Sequence, residues 1–504
     1  MEPVLEMRKI TKRFPGVVAN QDVDLKLYSG EVHALLGENG AGKSTLMNIL
    51  TGIYFQNEGD ILYRGKKVEI DSPHKAVKLG IGMVHQHFKL VDTLTVAENI
   101  TLYSRTGSPI LYKRKMEEEV KAISKRFKLE VDPSRVVGSL SIGEQQRVEI
   151  LKLLAKGAEI LILDEPTAVL TPQESDALFK SLRGMAEEGK AILVITHKLS
   201  EVMRSADRVT ILRRGQSVAE ISVKDTDVET LTELMVGRHV EKSQRKKGGA
   251  ISSDPVLEMS GVSLKDERGV YILKDISFSL RKGEVLGIAG VSGNGQKELC
   301  QVISGMDGIT EGTINIKGHK AERWNPRKAM EGGVAYIPDD RIGVALAGHL
   351  DAMDNMVMKD FRKKENSSHG ILRKKAIRER TEKAFSSYDI RSAGIDYPVA
   401  FMSGGNIQKL LIAREIELDP DIIVASYPTH GLDIGATESV HRILLSECEK
   451  GKSVIYVSED LDELFEVSDR IVVMYDGRIV GTVNSDESSV EEVGSMMLGS
   501  SVER

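Results

Sequence analysis

Gly37-Glu38-Asn39-Gly40-Ala41-Gly42-Lys43-Ser44-Thr45 fits the phosphate-binding pattern G-x-x-x-x-G-K-[ST], and it lies between an apolar run, Val32 to Leu36, and a helix-like stretch beginning at Leu46. Strand, glycine loop and helix is the arrangement in which backbone N–H groups and a helix N-terminus cradle phosphates. A second loop, Gly290-Val291-Ser292-Gly293-Asn294-Gly295-Gln296-Lys297-Glu298, keeps the glycines but has Gln where the phosphate lysine belongs and Lys where the magnesium hydroxyl belongs. One copy is chemically whole and the other is not.

The duplication extends beyond the loops. Pro3-Val4-Leu5-Glu6-Met7 recurs as Pro255-Val256-Leu257-Glu258-Met259, and Gly37 and Gly290 stand 253 residues apart, about half of the 504-residue chain. Repeats on that scale are duplicated domains, because solenoid periods run to roughly 20 to 50 residues. Domains are therefore predicted over 1–240 and 255–504. The stretch 241–254 between them includes Gln244-Arg245-Lys246-Lys247-Gly248-Gly249, has no apolar periodicity and is read as a flexible linker.

Composition narrows the class. No apolar stretch approaches the roughly 18 residues of a membrane span, and Met1-Glu2-Pro3-Val4 lacks the basic and apolar regions of a signal peptide, so a cytoplasmic location is expected. A net charge of −6 argues against wholesale nucleic-acid binding. The two cysteines, Cys300 and Cys448, lie far apart in helix-like stretches and read as reduced packing residues.

Continuous apolar runs precede each chemical motif of the first half: Ile160 to Leu163 before Asp164-Glu165, and Ala191 to Thr196 before His197. Such runs read as buried parallel strands, which places the motifs at strand ends where α/β sheets bind ligands. Lys43 is then expected on the β- and γ-phosphates, with Ser44 and Asp164 holding Mg²⁺. Glu165 is placed to polarise an attacking water. The plainer alternative is that Asp164 and Glu165 only cap the next element. Beyond the fourth apolar run, His197 is a candidate for γ-phosphate contact, and Gln86 in His85-Gln86-His87-Phe88 could reach metal and water from a mobile loop. Two histidines without a third ligand do not make His85 and His87 a metal site.

Leu140-Ser141-Ile142-Gly143-Glu144-Gln145-Gln146-Arg147 opens a helix with Ser and Gly. Alone it is an ordinary N-cap. With the other motifs, in this order and across essentially the whole chain, it resembles the signature segment of ABC-type ATPases. The resemblance implies two tandem α/β P-loop domains, each a mainly parallel RecA-like core with an antiparallel β subdomain and a helical subdomain. It implies head-to-tail pairing, so that each ATP is held by the phosphate loop of one domain and the signature of the other. It also implies that Phe14 stacks on adenine.

Set beside the first half, the second has lost its own ATP chemistry. The position of Phe14 falls near Glu267, with no aromatic ring, Gln86 becomes Asp339, Asp164-Glu165-Pro166-Thr167 becomes Ser426-Tyr427-Pro428-Thr429, and His197 is matched to Ser458. Its donated parts survive: Ser403-Gly404-Gly405-Asn406 keeps the phosphate-facing signature, and Gly431-Leu432-Asp433 keeps the aspartate that the resemblance sends to the partner's site. In the first half Val169-Leu170-Thr171 lacks that aspartate and Ile142 interrupts the signature. The losses segregate by composite site, which random drift of a redundant copy would not produce.

Fused ATPases with Ser-Gly-Gly-Asn in the second signature are similar to the ATP-binding subunits of bacterial monosaccharide importers and their nucleoside-transporting relatives. Gly82-Met83-Val84-His85-Gln86-His87-Phe88 and the eroded Ser426-Tyr427-Pro428-Thr429 resemble the nucleoside branch. That branch implies a peripheral protein at the cytoplasmic face of the membrane, two permease subunits and an extracytoplasmic, lipid-anchored binding protein, with no nucleic acid and no contact with the transported solute. The stretch Phe88 to Asn99 would lead to the permease contact, although Phe88 and Leu90 suit a core equally. The second half carries nine more residues between loop and signature, near Lys359 to Tyr397, and reads there as a solvated charged helix, with a partner surface as the second reading. A tandem ABC protein acting on ribosomes is the alternative class; it would keep both Asp-Glu pairs and a long charged helical linker, and this chain has neither.

Overall fold

Val32–Leu36 forms a strand buried at every residue, and so does its neighbour Ala191–Ile195. Both faces of these strands are covered, which is why the runs show no polar alternation. The computed structural model describes residues 2–38, 40–85, 88–102, 112–167, 170, 172–196, 198–237, 245 and 254–499. Two units divide the chain, Met1–Val240 and Glu241–Arg504.

In the first unit a six-stranded sheet runs Gln216–Ser222, Arg208–Arg213, Val32–Leu36, Ala191–Ile195, Ile160–Asp164, Ile81–Val84. Only the edge strand Gln216–Ser222 is antiparallel to its neighbour. Alternate side chains serve opposite faces. Ile160, Ile162, Leu193 and Ile195 pack with Leu5, Met7 and Leu46, whereas Leu161, Leu163, Ile192 and Val194 pack with Val148, Leu151 and Leu182. The first of these cores is shared with an antiparallel sheet ordered Val17–Leu27, Leu5–Phe14, Glu58–Tyr63, Lys66–Val68. Phe88 and Leu90 are partly buried against the second core.

The second unit repeats the plan. Its six-stranded sheet is ordered Val334–Ile337, Ile422–Ser426, Ser453–Val457, Val285–Ala289, Arg470–Tyr475, Arg478–Asn484, and its antiparallel sheet is built on Pro255–Lys265 and Tyr271–Arg281. Each unit is thus a mainly parallel α/β core with an antiparallel β subdomain.

Two stretches differ from the sequence reading. Lys359 to Tyr397 is more than a solvated helix: Ser367–Ser368 pairs with Ile371–Leu372, and helix Lys374–Ser387 buries Ile377, Thr381 and Ala384. Its charges turn inward. Arg380 meets Asp360 at 2.8 Å and Glu417 at 2.7 Å, while Lys359 reaches the fully buried Glu415 at 2.7 Å. Burial pushes the Lys359 amine below its ordinary range, against the pull of Glu415. Within 241–254, Arg245 is docked rather than free: its guanidinium meets Asp469 at 3.1 Å and the Gly283 carbonyl at 2.6 Å.

Cys300 and Cys448 are free thiols buried in helices Gln296–Ile303 and Ile434–Glu449. Among the described residues no helix is long and apolar enough to cross a membrane.

Candidate functional site

The buried strand Val32–Leu36 delivers the chain into the glycine loop, and the helix that follows begins at Lys43, three residues earlier than its apolar pattern suggests. Gly40 and Gly42 have φ of 81° and 97°. A Cβ on Gly42 would lie 2.4 Å from the Asn20 side chain and 2.5 Å from the Ala19 carbonyl, so only glycine lets the hairpin strand Val17–Leu27 approach the loop this closely. Gly37 is as confined, with the Leu212 carbonyl 2.5 Å from its missing Cβ. The Ala41 N–H donates to the Glu38 carbonyl at 3.0 Å and tightens the turn.

Lys43 is buried and donates its Nζ to the carbonyls of Gly37 at 2.5 Å and Glu38 at 3.1 Å. Burial pushes its ammonium below the ordinary range while Glu165, Asp164 and Glu38 pull the other way. Ser44 is exposed and Thr45 partly so, on the first turn of a helix that no side chain caps. That turn therefore presents its N–H groups and the Ser44 hydroxyl on the same end as the Lys43 amine.

Asp164 ends strand Ile160–Asp164 in register with Ile195. Burial and then the charge of Glu165 push its carboxyl above the ordinary range, and Lys43 opposes them. The next residue, Glu165, holds φ of 47°, a left-handed conformation uncommon for Glu, and its N–H donates to the Ile195 carbonyl at 2.8 Å. Lysine, hydroxyl and two carboxylates form a site fitted to a triphosphate and a divalent cation. Gln86, His197 and Asn39 lie outside the described residues.

Phe14 ends strand Leu5–Phe14 and is 36% exposed. Tyr54 meets it edge-on at 5.4 Å between centroids, and Lys12 Nζ lies 5.2 Å and 5.7 Å from the two rings. In the sequence Tyr54 is signalled only by the aromatic pair Tyr54-Phe55 after the helix.

In the second unit Gly293 and Gly295 hold the same left-handed φ, 88° and 98°. Gln296 is buried in the place of Lys43 and donates to the Val291 carbonyl at 3.2 Å. Lys297 pairs with Asp339 at 3.0 Å, joining two of the substituted positions to each other. Tyr427 repeats the backbone of Glu165, with φ of 48° and an N–H donated to the Val457 carbonyl at 3.0 Å. Ser426, in the place of Asp164, is fully buried. The backbone mould is retained while Lys43, Ser44, Asp164 and Glu165 give way to Gln296, Lys297, Ser426 and Tyr427.

A family model described as ABC transporter matches residues 20–168 and again 273–430. The chain belongs to the ABC transporter family. Among its relatives, the guanosine import ATP-binding protein NupO of Bacillus subtilis is 44% identical over 99% of this chain and 98% of its own. The nucleoside import ATP-binding protein NupA of Lactococcus lactis subsp. cremoris is 43% identical over 99% of both chains. The glucose import ATP-binding protein TsgD13 of Haloferax volcanii is 42% identical over 99% of this chain and 96% of its own. Among solved structures, an archaeal ribosome recycling factor in complex with the ribosomal stalk protein aligns with TM-score 0.62 at 21% identity, covering 94% of this chain and 90% of that one; this shows the fold alone. The protein is an ABC transporter ATPase with two tandem cassettes.

In this ATPase the two signature helices differ at their N-termini. Ser141 caps helix Ile142–Ala155 in a closed capping box: Ser141 Oγ accepts from the Glu144 N–H at 3.2 Å, and Glu144 accepts from the Ser141 N–H at 2.8 Å. Ser403 precedes helix Gly404–Ile416 without capping it. Its Oγ instead accepts from the Asn406 amide at 2.8 Å, and Asn406 accepts from the Arg391 N–H at 2.8 Å. Gly404 and Gly405 open this helix, and a Cβ on Gly405 would come within 3.0 Å of Ala436. Asp433 caps helix Ile434–Glu449 through the Ala436 N–H at 2.7 Å. In the sequence the signal for Glu144 is Ser-x-x-Glu itself, a helix-start pattern.

Two alignments between the copies need correcting. Thr196 Oγ1 accepts from the Lys198 N–H at 3.0 Å and Ser458 Oγ accepts from the Asp460 N–H at 3.1 Å, so Ser458 is the counterpart of Thr196. Glu459 therefore stands where the first copy has His197. Nor does the second copy lack a ring at the hairpin. Phe14 pairs across its hairpin with Val17, and Lys265 with Tyr271. Tyr271 supplies an aromatic ring from the opposite strand, with Lys265 Nζ 4.3 Å from its centroid.

Proposed function

We propose that this ATPase energises the import of purine nucleosides by binding and hydrolysing ATP at one composite site. That site is made by the phosphate loop, Asp164 and Glu165 of the first cassette together with Ser403, Gly404, Gly405, Asn406 and Asp433 of the second. Lys43 holds the β- and γ-phosphates, and Ser44, Asp164 and Gln86 would hold Mg²⁺, whose role is to neutralise phosphate charge. The Asp164 carboxyl, which burial and then the charge of Glu165 push above its ordinary range, fits a cation there. Glu165 polarises the attacking water, and Gln86 and His197 contact water and γ-phosphate.

The second pocket is degenerate in this reading. Gln296, Lys297 and Ser426 replace three charge-assisted contacts of about 1.5–3 kcal/mol each, which if additive weakens ATP there by about 10³- to 10⁶-fold. Two transmembrane permease subunits would dock on the cassettes at the cytoplasmic face of the membrane, and an extracytoplasmic, lipid-anchored protein would bind the solute. The solute itself does not touch this chain.

The observation that carries the substrate reading is that relatives 44% and 43% identical along the whole chain are guanosine and nucleoside import proteins. A glucose import protein at 42% favours monosaccharides as the second reading. Uptake of labelled purine nucleoside and labelled ribose by cells carrying Lys43→Ala separates them, since the substitution removes the phosphate cation and stops whichever import depends on this chain. Nucleoside uptake unchanged while a monosaccharide fails to enter would replace nucleosides by sugars and leave the ATPase reading standing.

A further inference from the structure

In the first unit Arg204, on helix Leu199–Ser205, pairs with Asp176, on helix Pro172–Glu187, at 2.8 Å, and Phe179 one turn beyond Asp176 is buried. Ser141 and Ser403 stand 262 residues apart, and the same offset carries Asp176 to Glu438, Phe179 to His441 and Arg204 to Glu466. An aspartate–arginine pair and a benzene ring have become two carboxylates and an imidazole. One ligand atom from each of Glu438, His441 and Glu466 lies within 4.8 Å of the others.

His441 is 2% exposed. Its Nε2 lies 2.9 Å from both the Tyr456 hydroxyl and Glu463 Oε1, and Glu463 accepts from Ser458 Oγ at 2.6 Å. His441 Nδ1 is buried with no hydrogen-bond partner. With Nε2 committed to Glu463, Nδ1 is the nitrogen left for the cluster. A carboxylate on one ring nitrogen and a lone pair on the other is the arrangement by which proteins fix a metal-binding histidine.

We propose that Glu438, His441 and Glu466 bind one divalent cation of the Zn²⁺ class, which suits an imidazole nitrogen with two carboxylate oxygens at bond lengths of about 2.0–2.2 Å. The ion ties helix Ile434–Glu449 to helix Leu461–Val467, as the Asp176–Arg204 pair ties the matching helices of the first unit. Glu463 is a positioning residue for the imidazole.

The test uses full-length protein, stripped with chelator and kept free of nucleotide, titrated with Zn²⁺ and with Co²⁺ as a spectroscopic probe. His441→Phe and Glu466→Arg install the residues of the first unit, and the second rebuilds an ion pair with Glu438. Wild type should retain one more ion per chain than either variant, with Co²⁺ absorption that both variants lose. Glu466→Arg should hold an unfolding midpoint near that of metal-loaded wild type and not respond to metal. Glu463→Gln should weaken binding about 10- to 100-fold at unchanged stoichiometry. Equal metal content in wild type and both variants, or no uptake by wild type, would overturn the site and leave a buried imidazole among carboxylates.

Discussion

The side-chain amide of Asn406 donates to Ser403 Oγ at 2.8 Å, at the place where the first unit has Glu144 closing a capping box on Ser141. One signature therefore meets its surroundings with a neutral amide, and the other with a carboxylate that has already taken the helix N-terminus. Anions are favoured at such a terminus only while it remains open. Asn406→Glu is expected to close the box, place negative charge where the proposed composite site puts the γ-phosphate, and lower ATP turnover at least 10-fold with ATP affinity at the first phosphate loop little changed. The converse, Glu144→Asn, should leave turnover within about twofold. Ser403→Arg should abolish hydrolysis, and Ser141→Arg should cost much less. Steady-state ATPase assays of the four variants check this; equal losses from the two Ser→Arg substitutions would refute the single-site reading.

Glu165 is held in a left-handed backbone conformation directly after the strand that ends at Asp164. Glu165→Gln keeps the shape and removes only the charge, so ATP binding is expected to persist while turnover falls about 10²- to 10⁴-fold. Turnover near that of the wild type would remove Glu165 from its role.

The grouping of Lys43 with Asp164 and Glu165 was legible because few arrangements call for a glycine loop ending in Lys43-Ser44, then Asp164-Glu165 after an apolar strand. Legibility failed where geometry or charge pairing decided the matter. Ser458 resembles His197 in being polar after a strand, yet the 262-residue offset of the signature serines and the shared hydrogen bond to the residue two further on both identify it with Thr196. Tyr271 became visible as a hairpin aromatic only once strand pairing placed it opposite Lys265. The charged stretch Lys359 to Tyr397 concealed a packed element because its ions face inward toward Glu415 and Glu417. The Lys43–Leu50 helix began early because its first turn answers to the loop and not to the apolar core.

Both thiols should be inert in the folded protein. Burial pushes Cys300 up to about 12, with Ser426 opposing, and burial likewise raises Cys448 to about 12 against the pull of Arg245. The thiolate is the reactive form, and at pH 8 such a thiol is ionised to about one part in ten thousand. Ellman's reagent is expected to titrate neither cysteine within an hour under native conditions and both after denaturation. Rapid native labelling of one would show that its helix opens.

Phe14 and Tyr54 stand together where the proposed function puts the adenine. The rings meet edge-on at 5.4 Å with Lys12 beside both, so Tyr54 fixes the plane that Phe14 presents. Base stacking on an aromatic ring contributes about 1–3 kcal/mol, so Phe14→Ala is expected to weaken ATP about 5- to 150-fold. Tyr54→Ala removes an edge-to-face contact of about 0.5–1.5 kcal/mol and should cost about 2- to 12-fold. The double variant should lose less than the product of the two, because the rings act through one another. Tripolyphosphate has no base, so its affinity should be unchanged in all three. Binding titrations with ATP and tripolyphosphate decide the matter: equal weakening of both ligands would mean that the rings support the glycine loop through the Asn20 strand instead of receiving the base.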